Sequence, residues 1–127
     1  MEETSKKPAP VFIHPIEEVF ARILDYYGVV WEYEPRTFAL ERDDQGNIVE
    51  AFKPDFYLPQ QNLYIELTTL RPKLTAKKTR KLKKVKELYP DLNIKLFKRR
   101  ELRNMMVRFG MVAEAERILG SDAQDWK

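Results

Sequence analysis

The stretch from Ala51 to Thr69 constrains this chain more than any other. Two runs of strand-forming residues, Ala51–Leu58 and Leu63–Thr69, flank a short polar turn at Pro59–Asn62, the pattern of a β-hairpin. With the turn centred on Gln60-Gln61, antiparallel pairing sets Asp55 opposite Glu66, Tyr57 opposite Tyr64 and Lys53 opposite Thr68. Side chains alternate between faces along a strand, so these residues share one side, expected to be wet. Phe52, Phe56, Leu58, Leu63, Ile65 and Leu67 form the opposite, core-facing side. Two carboxylates directly opposite lie roughly 5 Å apart at Cβ, and like charges so placed destabilise a sheet. Something positive is needed between them, most simply a hard divalent cation bound through oxygen.

Pro54-Asp55, a hairpin turn, and a hydrophobic strand ending in Glu66-Leu67-Thr68 resemble the PD-(D/E)xK restriction-endonuclease-like superfamily. The resemblance covers most of residues 11–100 once the flanking elements are counted. It implies an α/β fold with an α-β-β-β-α-β core, a mixed four-stranded sheet and, here, extra C-terminal helices. It also implies that Asp55 and Glu66 bind Mg2+ (or Mn2+), joined by the main-chain carbonyl of Leu67 and by an acid on the first helix, the position held by Glu17. A lysine two residues after the second acid helps position or activate the attacking water in that family. Here the slot holds Thr68, whose hydroxyl supplies no cation. Either another lysine has moved in or the catalytic machinery is incomplete.

The flanking sequence supplies the other elements. Pro15 suits the first turn of a helix, and Ile16, Val19, Phe20, Ile23, Leu24 and Tyr27 recur with helical period up to Gly28. Glu17 falls on the buried side of this helix and Glu18 toward water. Both also sit in the first turn, where the helix dipole favours acids. His14, the sole histidine, precedes the helix without an evident partner. Val29–Leu40 reads as a first strand bent at Pro35, with Glu34 and Arg36 flanking the bend, favoured as a surface pair over an acid and a phosphate clamp at the site's rim. Glu41–Asn47 is a solvated acidic turn. Ile48–Leu58 and Leu63–Leu70 complete a three-strand meander.

A long helix follows Pro72, roughly Leu74 to Tyr89, with Leu74, Leu82, Val85, Leu88 and Tyr89 as its apolar stripe. At about 100° per residue, Lys78 falls near the middle of that stripe and Lys81 at its edge. A lysine aimed inward is costly unless it meets an acid. Lys78 and Lys81 are therefore candidates for the displaced catalytic lysine, with Lys53 as the rival because it pairs with Thr68. Asn93–Phe97 alternates like a strand beside the third. Arg99–Phe109 and Met111–Leu119 read as two more helices, whose exposed Met and Phe offer either packing on the sheet or a homodimer contact.

Charge is unevenly spread. Residues 71–108 hold 15 Lys/Arg against 3 Asp/Glu, whereas residues 1–70 hold 6 against 13. A cationic lobe beside an acidic site suits phosphate-backbone chemistry, and Lys73, Lys77, Lys78, Arg80, Lys81 and Lys84 are the expected nucleic-acid contacts, DNA ahead of RNA. The absence of cysteine excludes disulfides and thiolate metal sites. No apolar run is long enough to span a membrane, so a cytoplasmic location is expected. One domain over residues 11–120 is expected, with a loose arm at 1–10 and a frayed tail at 121–127.

The reading these features favour is a Mg-dependent nuclease. The alternative is a catalytically inactive nuclease-fold module that binds nucleic acid or a nucleotide-metabolism partner. The stretch His14–Arg99, with Tyr33-Glu34-Pro35 and Tyr64-Ile-Glu-Leu-Thr-Thr, is also similar to an N-terminal extension of some bacterial hypoxanthine phosphoribosyltransferases.

Overall fold

The computed structural model describes residues 11–69 and 72–119, with side chains left aside at 72–74. The arm at 1–10, the tail at 121–127 and the side chain of Lys73 lie outside the described residues. Helix α1 spans Pro15–Tyr26 and is followed by β1 (Glu32–Tyr33), β2 (Phe38–Arg42), β3 (Ile48–Phe52), β4 (Phe56–Leu58) and β5 (Leu63–Leu67). Helix α2 (Pro72–Leu88), β6 (Ile94–Phe97), α3 (Arg99–Arg108) and α4 (Val112–Leu119) complete the chain. The fold is mixed α/β, with a four-stranded mixed sheet in the order β1-β4-β5-β6 and a two-stranded sheet of β2 and β3. Strands β4 and β5 are antiparallel and β5 and β6 parallel.

Pro35 and Pro54 explain why there are six strands rather than four. Each interrupts a stretch that reads in sequence as one strand, because proline cannot donate to a ladder. Val29–Leu40 breaks into β1 and β2, and Ile48–Leu58 into β3 and β4. The outer halves turn away and pair with each other, Phe38 with Phe52 and Ala39 with Ala51. The inner halves pair in the main sheet, Tyr33 with Phe56.

The hairpin register matches the turn-centred expectation: Phe56 faces Ile65, Tyr57 faces Tyr64 and Leu58 faces Leu63. The expected division into a wet and a core side does not hold. Phe56, Leu58, Ile65 and Leu67 pack with α1, α3 and α4 in one cluster, around Val19, Phe20, Leu102 and Met106. Tyr64 is buried on the other side with Phe38, Leu40, Phe52, Leu82, Val85 and Ile94. The β2–β3 pair and α2 cover that second side, so Tyr64, Glu66 and Thr68 are all buried. Phe52 belongs to this cluster rather than to the side of Phe56, because the break at Pro54 interrupts the alternation between them. On α2, Leu82 and Val85 are buried as the stripe requires, but Leu88 is half exposed near the helix end. Gly28, at φ +70, supports the turn after α1 that brings Val29 N–H back to the Leu24 carbonyl at 2.9 Å.

Candidate active site

Three elements bring charged side chains to one end of the hairpin. Asp55 precedes β4 by one residue, Glu66 is the penultimate residue of β5, and Lys78 lies on the second turn of α2. Continuing the β4–β5 ladder by one step sets Asp55 beside Glu66. Asp55 Oδ2 accepts the Leu67 N–H at 2.8 Å, which fixes it against β5. The Lys78 ammonium lies 2.9 Å from Glu66 Oε2 and donates to the Leu67 carbonyl at 3.0 Å. Helical phase had aimed Lys78 at the core side, and the acid it needed there is Glu66.

Electrostatics follow from this burial. Asp55 is pushed up to about 8, first by desolvation and then by the Glu66 charge beside it. Burial raises Glu66 as well, with the Lys78 ammonium pulling against it. Without a cation, burial and mutual repulsion therefore favour keeping a proton on the pair, and Lys78 offsets the remaining charge. Glu66 Oε1 is buried and has no hydrogen-bond partner among the described residues.

Glu17 is buried on α1, as its phase required, but its Oε1 is drawn into other work. It accepts the Tyr33 hydroxyl at 2.6 Å and the N–H groups of Ile13 at 3.1 Å and His14 at 3.4 Å. Those N–H groups precede the first helical turn and would otherwise lack acceptors. Burial and the Glu17 bond push the Tyr33 phenol well above its usual range. Among the described residues, no three His, Asp or Glu side chains converge to hold a metal ion. Glu17 thus shares a cavity with Asp55 but does not close a three-carboxylate cluster.

That cavity, about 300 Å³, is lined by Glu17, Glu34, Asp55, Leu67, Thr68 and Lys78, with Ile13 and His14 at its edge. Glu34 takes the rim position that the sequence offered as the second choice. Expected to pair with Arg36 on the surface, it faces the cavity instead, while the Arg36 guanidinium stacks 4.4 Å over the Phe38 ring. Glu34 has φ +45, left-handed backbone that costs a non-glycine residue about 1 kcal/mol or more. Its N–H donates to the Asp55 carbonyl at 2.8 Å, which ties the bend to the acid.

The chain matches no known protein family, curated protein or solved structure. The site is therefore read from its own chemistry.

The remaining expected residues separate into two groups. Lys81 donates to the Ala51 carbonyl at 3.1 Å, and Lys84 pairs with Glu50 at 3.0 Å and Glu41 at 3.9 Å. Together with Lys78 they form a row along α2 that fastens the helix to β3 and β5. Lys53, Lys77 and Arg80 are exposed. In the turn after β2, Asp43 accepts the N–H groups of Gln45 and Asn47, each at 2.9 Å, which accounts for that acid as a turn former.

Proposed function

We propose that this chain is a metal-dependent nuclease of the PD-(D/E)xK type, hydrolysing phosphodiester bonds in nucleic acid, with DNA favoured over RNA. The observation that carries the reading is the pairing of half-buried Asp55 with buried Glu66, the Lys78 ammonium lying on Glu66 and on the Leu67 carbonyl. A lysine from α2 thereby brings a positive charge to the acids, for which Thr68 has no group to offer.

The donor atoms suit Mg2+ or Mn2+. Two carboxylates and a main-chain carbonyl are hard oxygen ligands, and Glu66 Oε1 is buried with no partner among the described residues. Mg2+ is commonly held by one or two carboxylates and keeps several waters, so a third acid is not required. Asp55, Glu66 and the Leu67 carbonyl would hold the ion, with Glu17 supporting from the cavity wall. Bound there, a divalent cation supplies Lewis-acid polarisation of a phosphoryl oxygen and an acidified water at neutral pH. Asp55 must give up its proton to act as a ligand. Lys78, freed from Glu66 and Leu67, offers its charge to the attacking oxygen or to the phosphoryl group as negative charge develops. Lys77 and Arg80, exposed on α2, contact backbone phosphates, which position the strand without reading bases.

The test is digestion of single- and double-stranded DNA and RNA by the purified protein with Mg2+ or Mn2+. Cleavage should stop with chelator and in Asp55→Asn, Glu66→Gln and Lys78→Met. Cleavage that survives Asp55→Asn and Glu66→Gln would reject the assignment.

One observation favours a second reading. The Lys78 ammonium already pairs with Glu66 Oε2 and donates to the Leu67 carbonyl, so the fold can persist without an ion. In that case the chain is an inactive nuclease-fold module that binds nucleic acid or a partner in nucleotide metabolism. It would then bind nucleic acid equally well with and without Mg2+, and binding would be indifferent to Asp55→Asn.

A further inference from the structure

A second cavity, about 370 Å³, shares Lys78 with the first but has the opposite character. Lys53, Lys77, Lys78 and Lys81 line it, with Glu66 as the only carboxylate in the wall among the described residues and Ala51 and Phe52 beside them. Lys78 neutralises Glu66, which leaves three ammonium groups in excess. Two of the four heads are fixed in place: Lys78 on the Leu67 carbonyl at 3.0 Å and Lys81 on the Ala51 carbonyl at 3.1 Å. Lys81 is half-buried, and its one hydrogen bond among the described residues goes to a neutral carbonyl. Lys53 and Lys77 have no ion-pair partner among the described residues. A concave site with anchored ammonium groups and surplus charge is built for a compact multivalent anion.

We propose that the lysine cavity binds the terminal phosphate monoester of a nucleic-acid strand. A monoester carries about −1.5 to −2 charge at neutral pH and three acceptor oxygens, whereas an internal diester carries one charge and two free oxygens. Three surplus ammonium groups within one enclosure complement the monoester. An internal phosphate, flanked by sugars on both sides, suits the open face of α2 at Arg80 instead, outside the lysine cavity. Because Lys78 lines both cavities, a strand end held by the lysines lies next to the Asp55–Glu66 pair. The cut then falls near a phosphorylated end rather than within a strand. The end-directed cut rests on the nuclease reading; the phosphate preference does not.

The test is therefore binding without metal, run beside cleavage with it. In chelator, a fluorescently labelled single-stranded DNA oligonucleotide carrying a 5′-phosphate should bind roughly tenfold tighter than its 5′-hydroxyl counterpart, the range for one charge-assisted contact. The same oligonucleotide with a 3′-phosphate distinguishes which end is held. Inorganic phosphate as competitor should erase the preference and leave hydroxyl-end binding in place. The double variant Lys53→Gln, Lys77→Gln, whose exposed side chains hold no partner, should fold normally by circular dichroism and lose the preference. Equal affinity for phosphate and hydroxyl ends in the wild type, or a preference that persists in the double variant, overturns the proposal. Cleavage without phosphate preference sinks only this inference. Phosphate preference in a protein that never cleaves sinks only the nuclease reading.

Discussion

The buried acid pair should make the metal-free protein lose stability as pH rises from about 5 to about 7. Asp55 is pushed up from 3.8 to about 8 by burial first and by Glu66 second. Its folded value lies above its unfolded one, so the contribution is fully present below the unfolded value and is lost as pH climbs toward the folded one. Inside that window the folded chain holds a proton that the unfolded chain releases, and each pH step of one costs up to about 1.4 kcal/mol. Two such steps set an upper limit of roughly 3 kcal/mol. The pair is tightly coupled and Lys78 opposes the trend, so about 1–2 kcal/mol is expected, or a fall in Tm of about 4–10 °C for a domain of this size. The assay is thermal and urea unfolding in chelator across that range, for wild type and Asp55→Asn. Asparagine keeps the shape and can still accept the Leu67 N–H, but carries no charge. The variant should show a flatter profile and exceed the wild type in stability at neutral pH. If both proteins show the same slope, or Asp55→Asn is equally destabilised at either end of the range, the account of the pair is wrong.

Three further outcomes follow from the same geometry. Lys78→Met strands the buried Glu66 charge and should cost about 2–3 kcal/mol in urea unfolding, discounted from a fully buried pair because Lys78 is one-third exposed. Adding Glu66→Gln to it should restore most of that loss, as coupled residues do in a double-mutant cycle. Glu34→Gly relieves left-handed backbone and should raise stability by up to about 1 kcal/mol; a lower Tm would show that Glu34 is held by contacts rather than strained. Binding of Mn2+ followed by calorimetry should strengthen as pH rises toward 8 and release a proton, because Asp55 must ionise to become a ligand, and Asp55→Asn should remove that pH dependence.

What was legible in the sequence divides along a physical line. Local pattern fixed the helices to within a few residues and the hairpin register to the residue, since Pro59–Asn62 leaves one way to close the turn. Helical phase also found the Lys78–Glu66 contact, because a lysine on an apolar stripe has to meet an acid. The covering of the Tyr64 side was not legible. It depends on how β2–β3 folds over the sheet after two proline breaks, and no periodicity within the hairpin reports that. Glu34 was ranked as a surface residue ahead of a rim acid for the same reason: its place in the cavity depends on the bend at Pro35 and on the Asp55 carbonyl, a partner twenty-one residues away in sequence.

On the nuclease reading proposed above, Thr68 stands where a lysine would be expected, and its surroundings give a physical reason for the lysine to lie elsewhere. Thr68 is 2 % exposed at the end of β5, where its N–H donates to the Phe97 carbonyl at 3.0 Å. Its side chain stands against the cavity that Asp55 and Lys78 also line. A lysine there would have to bury most of its stem and still bring its charge out to the acids. Lys78 approaches from the helix and keeps a third of its side chain in water while its head reaches Glu66. Long amphipathic side chains settle in this way, with the stem on apolar surface and the charge at its edge. The nuclease reading proposed above calls for an ammonium beside the second acid, and α2 brings one there at lower desolvation cost than the strand would. A Thr68→Lys, Lys78→Met double variant tests the point directly. It should be less stable than the wild type, and less stable than Thr68→Val, Lys78→Met, because the strand position has to bury the lysine that the helix leaves partly in water.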